Sequence, residues 1–201
     1  LFIATGTFPN GKRFKIFDNK GPPLAYIGDY PLDEKIDLPF YVIGSAYVSM
    51  MTSHPTSNRF AVGTNYGGML DVMEWNASDY TLNRIGGVCE FKPQVSSKSY
   101  QGTPNFVPNE KTRWGYLNMD SDANYIYALY SGRFQIKGTR YWWGNTIHVF
   151  DWNGTPVCQI KLDKDVRDIA VMKNKLYALY EDADIGYEIM EYVLPDNWTK
   201  K

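Results

Sequence analysis

Apolar and polar positions along this chain alternate in short bursts, and the stretch from Tyr125 to Asp163 sets the pattern: YIYALYSG, a polar excursion, NTIHVFDWNG and TPVCQIKLD. Each apolar run is dense in β-branched and aromatic residues and spans about 5–8 residues, a strand length rather than a helix length. Asn153-Gly154 supplies the positive φ angles that a two-residue hairpin turn demands. Pro156 stands at the start of the following strand, where a missing N–H does least harm. The stretch predicts three antiparallel strands, the last two joined by a tight turn.

Altered copies of this unit fill the rest of the chain, over about 1–30, 40–87, 113–163 and 166–194. Aligned, the second strands read FIATG, FAVGT, YALYS and YALYE. Three third strands end alike, in Phe17-Asp18-Asn19, Glu74-Trp75-Asn76 and Asp151-Trp152-Asn153. A recurrence at roughly 50–70 residues is the range in which four-stranded repeats mean propeller blades. The prediction is an all-β protein, a β-propeller of four-stranded antiparallel blades with about four blade units present, wired as up-and-down meanders. YVIGSAYVSMM at the start of the second unit reads as a strand, and the pairs Gly67-Gly68 and Gly86-Gly87 read as turns. No segment carries convincing helical periodicity. A β-sandwich is the structural rival, but it leaves the recurring third-strand ending unexplained.

The first unit offers only its second, third and fourth strands, the last only its first, second and third, about fourteen in all. Leu1 rather than Met opens the chain, already inside a strand pattern. The expectation is therefore the C-terminal portion of a larger, six-bladed ring, with a missing N-terminal segment supplying the closing strand. A complete four-bladed ring is the alternative.

The C-terminal half, with IYALYSG, TIHVFDWNGTPVCQIKLDKDVRDIAV and KLYALYED…YEIMEYVL, resembles the TolB-like six-bladed propeller family of gut-type Gram-negative bacteria. The likeness is strongest from about residue 113 to 194, where a third strand of the form hydrophobic-x-V-F-D-W-x-G-x-P leads into a lysine-bearing fourth strand. The resemblance implies the fold and a place in the cell envelope, periplasmic or anchored at the outer membrane as a lipoprotein. It implies no catalytic motif.

Composition narrows the function classes. A net charge of −1 gives no reason to expect nucleic acid or an anionic membrane surface as partner. No apolar run is long enough to span a bilayer, and the start lacks the basic lead and long apolar stretch of a signal peptide. Aromatic residues make up 16% of the chain, which adds to the β signal. Cys89 and Cys158 lack metal-site spacing and are expected as buried free thiols, with a single bridge as the alternative.

In a propeller, the loops from fourth strand to next first strand and from second to third strand share one face. That rule gathers Glu90 to Thr112, Ser131 to Asn145, Thr7 to Lys12 and Asp29 to Pro39 on one side. The candidate ligand-binding residues there are Tyr100, Arg113, Trp114, Arg133, Arg140, Tyr141, Trp142 and Trp143. Flat rings offer stacking area for sugars, and guanidinium groups offer planar donors to carboxylates or hydroxyls. The competing expectation is that Trp142 and Trp143 fold inward and pin their own loop. Asp120, Asp122 and Asn124 faintly suggest a calcium loop, but the glycine and the downstream glutamate are missing, so a polar turn is expected. His54 and His148, the pairs Asp163/Asp165 and Asp182/Asp184, and the sequons at Asn76, Asn153 and Asn197 carry no stronger signal. No catalytic residue, metal or cofactor is assigned. The favoured function is a non-catalytic binding or scaffold module for a glycan, peptide or partner protein. A carbohydrate-active hydrolase or lyase is the alternative.

Overall fold

The computed structural model describes residues 1–195; the sequon at Asn197 lies outside them. Four antiparallel sheets follow one another along the chain. The first holds β1 (Phe2–Thr5), β2 (Phe14–Phe17) and β3 (Pro23–Ile27), and the second β4 (Ser49–Ser53), β5 (Arg59–Thr64), β6 (Met69–Asn76) and β7 (Thr81–Cys89). A separate hairpin, β8 (Ser97–Tyr100) and β9 (Thr103–Phe106), precedes the third sheet. That sheet holds β10 (Tyr116–Ser121), β11 (Tyr125–Tyr130), β12 (Gly144–Asp151) and β13 (Pro156–Val166), and the last holds β14 (Asp168–Met172), β15 (Lys175–Asp182) and β16 (Gly186–Val193). Strand order equals chain order in every sheet, the meander wiring of propeller blades. The first strands β4, β10 and β14 lie side by side, as innermost blade strands do.

The recurring third-strand ending is a turn device. Asp151 Oδ1 accepts the backbone N–H groups of Asn153 and Thr155, both at 2.9 Å. Asp18 and Asn76 take the N–H two residues on in their own copies. Only Gly154 has a positive φ, at 78°, and Asp151 N–H bonds Thr155 O across a three-residue loop. The expected two-residue turn is therefore a three-residue turn with glycine in the left-handed position, the next commonest hairpin connection. Its tip presses on the neighbouring sheet at Gly86-Gly87, where a Cβ on Gly86 would stand 2.0 Å from the Asn153 carbonyl oxygen. These two glycines lie inside β7 rather than in a turn; they admit another backbone at close range.

Two further expectations are corrected. Phe40–Ala46 forms a helix, α1, so the second sheet begins only at Ser49. The segment is two turns long, β-branched at Val42 and Ile43, and lacks a side-chain cap. Its helicity comes from burial of Val42, Ile43 and Ala46, which overrides a weak local preference that no sequence period could reveal. The loop from Glu90 to Thr112 likewise contains the β8–β9 hairpin. Polar residues on both faces of SKSY hide its strand character. Cys89 is exposed and Cys158 half-buried, both as free thiols, so burial holds for neither in full. Among the described residues no helix is long and apolar enough to cross a membrane.

Candidate functional site

The four loops that the propeller rule places on one face touch one another. Lys12 Nζ reaches Asp29 Oδ1 at 2.6 Å, and Lys92 pairs with Asp33. Residues 112–115 are stitched to 131–135: Trp114 N–H donates to Arg133 O and Gln135 N–H to Thr112 O, at 2.8 and 2.9 Å. Gly115 makes the junction possible. Its N–H donates to Asn65 O at 2.6 Å, and an added Cβ would lie 1.8 Å from the Gly67 carbonyl oxygen. That approach sets the turn after β5 beside the strand leading into β10, and with it Tyr66 beside Trp114.

A strip of rings results. Centroid separations run 5.2 Å from Phe106 to Tyr66, 4.8 Å to Trp114, 5.4 Å to Tyr141 and 4.5 Å to Trp142. All are tilted or edge-on contacts, the geometry that aromatic quadrupoles favour. Phe106, Tyr66, Trp114 and Tyr141 are half-buried, and Trp142 is 42% exposed. Trp114 is oriented by its indole N–H, which donates to Gln135 Oε1 at 3.1 Å. Phe134 and Ile136, on either side of Gln135, are exposed. Burial pushes the Tyr66 phenol above its ordinary pKa, so it stays neutral.

The eight candidate residues divide. Trp114, Tyr141 and Trp142 lie in the strip. Trp143 does not: it is 2% exposed, with the Arg140 guanidinium 4.7 Å over its ring, so the two adjacent tryptophans have opposite roles. Tyr100, 71% exposed at the turn of the β8–β9 hairpin, joins no ring contact among the described residues. The three arginines are already engaged. Arg113 Nη1 reaches Glu90 at 2.7 Å and Nε the Gly132 carbonyl; Arg133 grips Asp165 with both Nη groups; Arg140 meets Glu181 at 2.8 Å. Asp165 is what lifts the Arg133 pKa. Each of these guanidiniums thus faces a carboxylate: Glu90 from the loop after β7, Asp165 on β13 and Glu181 on β15. Sequence reasoning also missed Tyr66 and Phe106. The loop rule, applied to the short turn between β5 and β6, would have placed Tyr66 on this face.

A cavity of about 320 Å³ between the second and third sheets is lined by Glu90, Tyr116, His148 and Gln159. His148 stacks on Tyr130 at 4.5 Å, and its Nδ1 lies 3.3 Å from the Tyr116 hydroxyl. Tyr130 donates to Glu90 Oε2 at 2.7 Å. That hydrogen bond holds the Glu90 carboxyl below its ordinary pKa, while burial raises both tyrosines and lowers His148. Elsewhere the acids accept hydrogen bonds from neighbouring groups. Asp122 accepts Asn124 N–H, Tyr125 N–H and the Tyr127 hydroxyl, and Asp120 accepts Ser121 N–H and Val171 N–H. Asp163 accepts the Tyr192 hydroxyl, which lowers its pKa, and Asp182 turns back on Asp184 N–H. His54 Nδ1 accepts two backbone N–H groups in its own turn.

Comparison with known proteins gives one family: the profile described as TolB-like 6-blade propeller-like matches residues 1–174. No curated protein matches the chain.

Proposed function

The chain belongs to the TolB-like six-bladed propeller family, and from that premise we propose that it is a non-catalytic binding propeller of the bacterial cell envelope that holds a neutral glycan along its aromatic strip. One observation carries the reading: the strip from Tyr66 to Trp142 is open, while every arginine beside it is paired with a carboxylate. Stacking needs only a ring face and an apolar sugar face, and its contacts lie outside any hydrogen-bond network already in use. An anionic sugar would have to compete with Glu90, Asp165 and Glu181 for each guanidinium. A peptide is the second reading, since exposed Phe134 and Ile136, on the loop that also carries Tyr141 and Trp142, suit apolar side chains.

The hydrolase or lyase alternative finds less support. Asp165 is neutralised by Arg133, and the Asp163 carboxyl is held below its ordinary pKa, the reverse of what a general acid requires. The His148 cavity holds a neutral imidazole between two phenols that stay protonated.

Neutral and uronic oligosaccharides titrated against tryptophan fluorescence test the proposal. We expect a saturable quench with a neutral oligosaccharide, lost in Trp142→Ala and in Tyr141→Ala. A response confined to uronic acids would overturn it. Fractionation of the native host tests the location, with the protein expected in the periplasmic or outer-membrane fraction.

A further inference from the structure

A second cavity, of about 390 Å³, lies between the first and second sheets. One wall is charged. Arg13, whose side chain is 4% exposed, places Nη1 2.9 Å from Asp71 Oδ2, and Arg84 from β7 places Nε 2.8 Å from Asp71 Oδ1. The other wall is apolar, built from Phe14, Met69, Met73 and Leu82. At the rim Asp29 and Lys92 are each held by an opposite charge, Lys12 and Asp33.

The charges at the wall do not balance, because two guanidiniums face a single carboxylate. The hydrogen bonds do not balance either. Arg13 Nε and Nη2 are sealed from solvent and have no partner among the described residues, and the two Nη groups of Arg84 make no hydrogen bond there. Buried donors left unpaired are costly. The Phe14 ring, 5.2 Å from the Arg13 guanidinium, offsets only part of that cost.

We infer that this cavity is a site for a small monocarboxylate with an apolar tail. The carboxylate would sit against the accessible Nη groups of Arg84 and supply the negative charge that Asp71 alone does not provide to the two guanidiniums. Arginine receives such a group with two parallel hydrogen bonds. The tail would lie on Met69, Met73 and Leu82. The cavity volume falls within the roughly 300–1,000 Å³ typical of small-molecule sites. This inference is independent of the aromatic strip and of what binds there.

Hexanoate and hexanol, one charged and one neutral on similar tails, separate the possibilities by titration calorimetry and thermal shift. We expect saturable hexanoate binding that raises the melting temperature, and little from hexanol. Arg13→Ala strips Asp71 of its buried partner and threatens the fold, so Arg84→Leu, at a half-exposed side chain, is the informative variant. It should fold as the wild type does and bind hexanoate at least about tenfold more weakly. Equal binding of hexanoate and hexanol, no saturable hexanoate signal, or unchanged binding in Arg84→Leu would each overturn the assignment.

Discussion

Between the third and fourth sheets, Leu129, Ile147, Val149, Val166, Leu176 and Ala178 are all fully buried and form an apolar centre, with polar contacts such as Val171 N–H to Asp120 and Arg140 to Glu181 at its margins. Between the first and second, a smaller cluster of Phe14, Phe60, Val62 and Met73 shares the seam with Arg13 and Asp71, the buried charged side chains of the described residues. The two seams do the same mechanical task with different physics. Apolar burial is non-directional, so its contacts leave no donor unanswered. A buried ion pair is directional and leaves further hydrogen-bonding capacity to be met. Where a seam is charged, the structure therefore still says something about what else belongs there.

The widest separation should come from breaking each seam. Asp71→Ala leaves Arg13 as an uncompensated buried charge and should lower stability by about 3–5 kcal/mol. Ile147→Ala in the apolar seam should lower it by about 2–5 kcal/mol through the cavity it leaves. Replacement separates them: Arg13→Met with Asp71→Leu should recover most of the loss, since a buried pair exchanged for apolar groups is often neutral. Denaturant midpoints decide the matter. A double variant as unstable as Asp71→Ala would mean that the pair itself, rather than its desolvation, holds the seam.

A second contrast lies between adjacent residues. Trp143→Ala should destabilise by about 3–5 kcal/mol, because its indole is buried under Arg140. Trp142→Ala should stay within about 0.5 kcal/mol of wild type while weakening oligosaccharide binding. Paired melts and titrations read both, and similar melts would place Trp143 at the surface with its neighbour.

These contrasts mark how far the sequence could be read. Alternating runs, the turn-holding Asp18, Asn76 and Asp151, and the repeat spacing are local signals, and they suffice for the all-β propeller. The loop rule is topological, so it gathers the correct loops on one face. What escapes is set by partners distant in the chain. Trp142 and Trp143 are identical to any local reading, and only the third dimension buries one. Arg113, Arg133 and Arg140 look like free donors until Glu90, Asp165 and Glu181 arrive from 23, 32 and 41 residues away. Arg13 meets Asp71 across 58 residues, and no motif announces that contact. Helix α1 is likewise made by burial.

The seam between the second and third sheets should respond to pH through His148 and Glu90. Burial holds His148 below its ordinary value, so the unfolded chain binds the proton first and stability rises with pH across that interval. The contribution is complete above about pH 6.5 and fades as pH falls toward the folded value. Glu90, depressed by the Tyr130 hydrogen bond, stabilises above about pH 4.3 and loses that contribution as pH falls further through its folded value. Melting temperature against pH should fall in two stages, and His148→Gln should remove the first. A single late fall in the wild type would dismiss His148 as a source of pH dependence.

The smallest expected effect is the most telling about the ligand. Arg140 pairs with Glu181 at a half-exposed position, where such a bridge contributes about 0–1 kcal/mol. Arg140→Gln should thus barely move the melt, although it removes the cation over Trp143. If the ligand is read by ring faces alone, the same change should leave binding of a neutral oligosaccharide nearly intact, because the guanidinium was committed to Glu181 beforehand. A large loss of binding with an unchanged melt would mean that ligand displaces Glu181 and takes the arginine for itself. The strip would then be one half of a mixed aromatic and cationic site, and the contrast between an aromatic face that stacks and a charged seam that pairs would no longer hold.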